Sequence, residues 1–180
     1  MSWMDILLML IVMGGLVVGW VQGLWRQGMT LASFLAALIL ATYLQVFVSD
    51  WFGFISPGTP ALFRGTLAFL LLVGVIATSL DVAGRRLFPE TKLAVLGIFD
   101  RLLGILVGFL TVCVQVSVAV LVFKFLARVS WPFGEGLRLL LVRGIDSSAL
   151  VPVFYQILVS LVGTVGPLLP EGIPRFLTAI

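Results

Sequence analysis

Charged side chains are sparse along this chain, and the stretches between them are long and apolar. Ile6 to Trp25 carries no charge, and Gln22 is its one side-chain amide. Arg26, Gln27 and Gly28 interrupt that run, and a second follows from Leu31 to Val48. Asp50 and "FISPGTPALF", with Pro57 and Pro60, make the next connection, since proline punctuates the backbone. A third apolar run spans Gly65 to Leu80 and extends to Ala83, between Arg64 and Asp81. "GRRLFPETKLAVLGIFD" is a polar connection centred on Pro89, and the fourth run, Leu102 to Phe123, lies between Arg101 and Lys124. A spanning helix needs about 20 apolar residues. The pattern therefore predicts four transmembrane helices, at about 6–25, 31–48, 65–83 and 102–123.

Beyond Arg128 the pattern changes. Glu135 to Ile145 reads as an amphipathic helix whose Arg138 and Arg143 flank a leucine run, which suits the membrane surface. Ala149 to Leu169 is uncharged, but Pro152, Gly163, Gly166 and Pro167 divide it. That favours an interfacial helix over a fifth span. The expected organisation is a transmembrane domain over 1–125 and an interfacial helical tail over 126–180. The fold class is all-α, an integral membrane helical bundle.

Composition agrees. Of 180 residues, 61% are hydrophobic and 11% are charged, and the mean hydropathy is +1.23. Soluble domains carry about 25% charged residues, so the solvent of this chain is largely lipid. The net charge of +3 comes from scattered basic residues that mark boundaries and form no run, so nucleic acid is not an expected partner. The bilayer is one. The first run follows Asp5 with no basic stretch before it, and is expected to stay as a helix.

Orientation rests on the short loops. Arg26, Arg85, Arg86, Lys92 and Arg101 lie at the first-to-second and third-to-fourth connections. Arg64, Lys124, Arg128, Arg138 and Arg143 lie on the opposite side, mostly in the tail. Weighting short loops over the tail places the first group in the cytoplasm and both termini outside.

Small residues recur at helical spacing. Gly15, Gly19 and Gly23 fall on one face of the first helix, as do Ser33, Ala37 and Ala41 on the second. Gly104, Gly108, Thr111 and Gln115 follow on the fourth. Lipid tails are as apolar as leucine, so association comes from close backbone approach over small residues. Such a seam serves packing within the bundle or a homo-oligomer interface. The Gln115 amide must face protein or water, and an interhelical hydrogen bond is its expected role.

Candidate chemistry is thin. The chain has no histidine, which removes the commonest general base and the serine–histidine arrangement. Cys113 is the single cysteine and lies in an apolar run, without a basic neighbour to favour a thiolate. No metal-ligand spacing, phosphate loop or dinucleotide fingerprint is present, so neither cofactor nor metal is expected. Asp81 and Arg85 suit an i,i+4 pair. Asp100 is placed to cap the fourth helix, with Arg101 facing headgroups or Asp81.

The order of these pieces resembles the colicin V production protein (CvpA) family. The resemblance rests on Trp3 and Asp5 before the first span, Arg26 within "GWVQGLWRQ", and "FDRLLGILVGFL" with Asp100, Arg101, Gly104 and Gly108. "DSSALVPVFYQIL", containing Pro152, is similar to the C-terminal stretch of that family. Two departures stand out, since relatives usually have arginine at Gln22 and glutamate at Gln27. A third glycine is also usual near Val112. The resemblance implies a multi-pass protein of the bacterial cytoplasmic (inner) membrane, associated with production or secretion of a toxin peptide, and no enzyme. Two functions compete with a remote third, an intramembrane enzyme. One is support of secretion or envelope homeostasis through a membrane protein partner or homo-oligomer. The other is an oligomeric channel or transport component built around Gln22, Gln115 and Arg26.

Overall fold

The computed structural model of the chain describes residues 2–55, 58–88, 97–128 and 135–165. Every regular element among them is a helix: α1 (Trp3–Ile55), α2 (Ala61–Leu87), α3 (Gly97–Arg128), α4 (Glu135–Asp146) and α5 (Val151–Val165). The stretches Trp3–Phe54, Phe63–Leu87 and Ile98–Ala127 are long and apolar enough to cross a membrane. The molecule is a helical bundle of membrane type.

At about 1.5 Å per residue the 53 residues of α1 would measure about 80 Å if straight. They are not straight. Gly23 adopts φ 78° and ψ 175° and divides α1 into arms 3–22 and 24–55. Gly15 faces Val112, Gly19 faces Gly104 and Gly108, and Gly23 faces Asp100, so the first arm runs antiparallel to α3. Met4 and Leu8 share a buried cluster with Val116 and Val120 of α3. Ala41 shares another with Val122 and Leu126, with Phe34, Leu38 and Val118 packed around it. Residues 4–8 and 34–41 therefore meet one stretch of α3, and the chain has reversed between them.

α2 returns antiparallel along the second arm, with Met29 opposite Gly84 and Ser49 opposite Gly65. Its first turn follows Pro60, whose carbonyl accepts from the Arg64 N–H. Arg85 and Arg86 stand in its last turn, where cations meet the negative end of the helix dipole. α3 is central: Cys113, Val116, Val120 and Ala127 face the first arm and α5, while Val122 and Leu126 face the second arm and α2. α4 and α5 close the end at which the chain begins. There Trp3 packs over Gly144, and Val151 and Phe154 join Met4 and Leu8.

Outside this thin core the helices expose large apolar side chains, among them Leu10, Val21, Phe47, Val75 and Leu106, each more than half exposed. A water-soluble surface does not carry so continuous an apolar belt. Trp20 and Trp25 flank the reversal, and Trp3 and Trp51 stand at the opposite end, all substantially exposed. Tryptophan favours membrane interfaces.

The helices differ from the apolar runs at their ends. The break falls at Gly23, inside the expected first span, and Arg26 to Thr30 are helical instead of a link. The cause is conformational, since a positive φ is available to glycine without steric cost. Likewise Arg64, Asp81, Arg85, Asp100, Arg101, Lys124 and Arg128 all lie on helices. Their backbone hydrogen bonds continue past the apolar boundary, and long basic side chains reach out from there. The amphipathic helix is present as α4, and α5 occupies the first part of the divided C-terminal run. Pro57, Pro89, Lys92, Gly166 and Pro167 lie outside the described residues.

A Cβ on Gly19 would meet the Gly104 carbonyl, whereas one on Gly14 has nothing within 4 Å. Gly19→Ala should therefore lower the thermal midpoint of the purified protein in detergent, and Gly14→Ala should leave it unchanged or raise it. The expected gap is about 1–3 kcal/mol, the cost of overpacking. Equal midpoints would show that the close approach contributes nothing.

Candidate functional site

Two polar groups form at opposite ends of the bundle. The first is built on the reversal. At Gly23 the helical ladder is interrupted, so the N–H groups opening the second arm lose their intrahelical acceptors. The Asp100 carboxylate supplies one, its Oδ1 accepting from the Leu24 N–H at 3.0 Å. Asp100 is 7% exposed and sits so close to Gly23 that a Cβ there would strike it. It thus caps a different helix from the expected one. The expectation of a cap was sound in chemistry and wrong in address, because the first arm brings its turn onto the start of α3.

Around this cap the side chains pair locally. Gln27, 4% exposed, donates from Nε2 to Gln22 Oε1 across the turn at 3.5 Å. Arg101 lies over the Trp20 ring, 5.7 Å from its centroid, and not against Asp81. Asp81 instead accepts from the Thr30 hydroxyl at 2.9 Å and from Arg85 Nε at 2.7 Å. Arg26, Met29, Ser33, Asp81 and Arg85 line a narrow cleft between the second arm and α2. The Arg26 Nε is buried there with no hydrogen-bond partner among the described residues.

The second group ties the chain's beginning to its tail. Asp5, 3% exposed, accepts from the Ser2 N–H at 2.9 Å, the Ser148 hydroxyl at 2.6 Å and the Leu150 N–H at 3.2 Å. The Ser2 hydroxyl in turn accepts from the Met4 N–H, which makes a reciprocal cap of α1. Ser148 accepts from the Val151 N–H and so caps α5. Pro152 stands in that helix's first turn, where a missing N–H costs nothing. One carboxylate thus serves two helix starts. Lys124 lies over Tyr155 at 4.6 Å and ties α3 to α5 at the same end.

A family model for the colicin V production protein matches residues 4–159, most of the chain. The chain belongs to the colicin V production protein family. No curated protein and no solved structure matches it.

The polar and aromatic motif residues and Pro152, on which the sequence resemblance to this family rests, are far apart in the chain, and the fold gathers them into the two groups. Trp3, Asp5 and Pro152 stand at one end, and Arg26, Asp100 and Arg101 at the other. At 22 and 27 this chain joins two neutral amides. Gly15, Gly19, Gly104 and Gly108 are engaged within the chain, between the first arm and α3. Gly23 also packs against Gly104, and in addition it is the turn. Gln115 is half-buried, with no hydrogen bond to another described residue. Thr111 and Ser117 bond their own backbone, at Val107 and Cys113.

Ser148, Thr30 and Trp20 were not singled out from the sequence. Ser148 lay within the quoted "DSSALVP", and a serine three residues before a helix is a capping signal. Nothing in sequence links Thr30 to Asp81, or Trp20 to Arg101. Among the described residues no group of three or more Cys, Asp or Glu could hold a metal ion.

The clasp at Asp5 gives a crosslinking test. The Ser2 and Ser147 hydroxyls are 2.9 Å apart, so cysteines at both positions should oxidise to an intramolecular disulfide. Asp5→Ala in that background leaves donors unsatisfied at a cost of about 1–3 kcal/mol, and should slow the crosslink severalfold. Unchanged crosslinking would show that apolar packing alone holds the tail.

Removing the other carboxylate exposes the Leu24 N–H. Asp100→Ala should destabilise the detergent-solubilised protein by about 1–2 kcal/mol, while Asp100→Asn, which keeps an acceptor, should lose less. Equal loss in both variants would assign the effect to charge and not to the cap.

Proposed function

We propose that this protein is a non-enzymatic, multi-pass component of the bacterial cytoplasmic membrane that supports production or secretion of a colicin V-type toxin peptide through contacts with a membrane protein partner. The family match over residues 4–159 carries the proposal. In this reading the two arms of α1, α2 and α3 make four passes. The tryptophans at both ends and the exposed apolar belt between them support that count. α4 and α5 lie at the outer interface, and the reversal at Gly23 faces the cytoplasm with Arg26, Arg85, Arg86 and Arg101.

The partner-facing surface in this proposal is Arg101 with Trp20. Both belong to the reversal end, Trp20 is 41% exposed, and a guanidinium stacked on an indole is a preorganised contact. Trp20 and Arg101 stand outside both buried clusters, so a loss of function on changing them is expected without a loss of fold. The channel reading has less support, since the Gln22 amide is used on Gln27.

Complementation of a deletion strain tests the role. Arg101→Gln should reach the membrane at parental level by immunoblot and yet lower toxin secretion. Full complementation would reduce Arg101 to a boundary residue. For orientation, cysteines at Gly58 and Phe88 separate the two faces of the bundle. An impermeant thiol reagent added outside should label the first and spare the second, and the reverse pattern would invert the topology.

A further inference from the structure

The cleft between the second arm of α1 and α2 holds more positive charge than its own residues neutralise. Arg26 and Arg85 line it, with Asp81 as the one carboxylate. Both carboxylate oxygens of Asp81 are occupied, by Thr30 and by Arg85 Nε. Arg26 is left without an anion, and its Nε is buried without an acceptor among the described residues. The cleft measures about 10 Å³, room for about one water, so an oxyanion meets the guanidiniums of Arg26 and Arg85 at its mouth, through their terminal nitrogens. Arg64 also has a buried Nε without a partner among the described residues, but its guanidinium packs over Gly53.

The chemistry of the cleft selects the anion. Guanidinium forks match the oxygens of phosphate, with several N–H groups on one tetrahedral centre. Ser33 lines the same cleft and offers a hydroxyl. The site stands at the end of the bundle marked by Trp20 and Trp25, at the depth of lipid headgroups. Basic pockets between membrane helices recognise anionic headgroups in this way. We propose that Arg26 and Arg85, with Ser33, bind a phosphate group at the mouth of this cleft, carried by a phospholipid headgroup or free in solution. Asp81 orients Arg85 and leaves its terminal nitrogens for the ligand. The proposal is independent of the family role and of which face of the membrane the cleft occupies.

The test is native mass spectrometry of the full chain in detergent, titrated separately with phosphatidylglycerol, phosphatidylcholine and inorganic phosphate. The parent should retain phosphatidylglycerol over phosphatidylcholine if the source is lipid, or bind inorganic phosphate without lipid preference if the source is soluble. Arg26→Gln should weaken the retained species about tenfold, the worth of a hydrogen bond to a charged group. Arg26→Lys, which keeps charge without the fork, should fall between. Arg86→Gln, outside the cleft, should match the parent. A parent that retains neither phosphatidylglycerol in preference nor phosphate overturns the proposal, as does an Arg26→Gln that binds like the parent. Equal loss in Arg86→Gln also overturns it, by showing general attraction to surface charge. Should Arg26→Gln fail to fold, Arg85→Gln and the parent titrations decide the same question.

Discussion

Everything in this bundle depends on reversing a helix beside a low-dielectric medium. Breaking the ladder at Gly23 strands backbone N–H groups, and lipid offers them no partner. Water or a side chain must supply the acceptor, and here the Asp100 carboxylate does so from another helix. That contact requires α3 to lie against the turn. The approach is possible because Gly19, Gly104 and Gly108 remove the side chains that would hold the two helices apart. Small residues and the cap are therefore one device, with the glycines setting the distance and the carboxylate using it.

The other end of the bundle solves a related problem with one more carboxylate. Asp5 meets the opening turn of α1 and the residues that open α5, through Ser148 and Leu150. The tail is held by hydrogen bonds to the chain's beginning as well as by Trp3 over Gly144. Both buried carboxylates thus act on helix starts, where the dipole and the free N–H groups favour negative charge. Their burial needs no catalytic explanation. The arginines differ. At the reversal end Arg101 is stacked, Arg85 is paired, and Arg26 is neither among the described residues.

Membership of the colicin V production protein family joins these observations to a biological setting. The residues that carried the resemblance fall into two structural clusters, and in each a carboxylate does local structural work. In the proposed role the basic and aromatic surface around the turn is the one that meets a partner. Gln22 and Gln27 make a contact across the turn without charge. A neutral amide pair at that depth avoids the desolvation that an ion pair would incur.

The sequence by itself determined the solvent and the helical class, because length and apolarity answer directly to bilayer thickness. It also marked the small-residue seam, since a four-residue spacing places glycines on one face whatever the partner. Helix ends were less legible: Arg64, Asp81 and Asp100 stop an apolar run but not a hydrogen-bonded ladder. Which of the packing glycines also turns the chain was decided only in three dimensions. Gly15, Gly19 and Gly23 are equivalent by spacing, and the difference arises where the first arm meets Asp100. The same holds for the partners of Asp5 and Asp100. A carboxylate's charge and a helix's need for an acceptor are local properties, but which helix receives it depends on close approach between segments more than 70 residues apart.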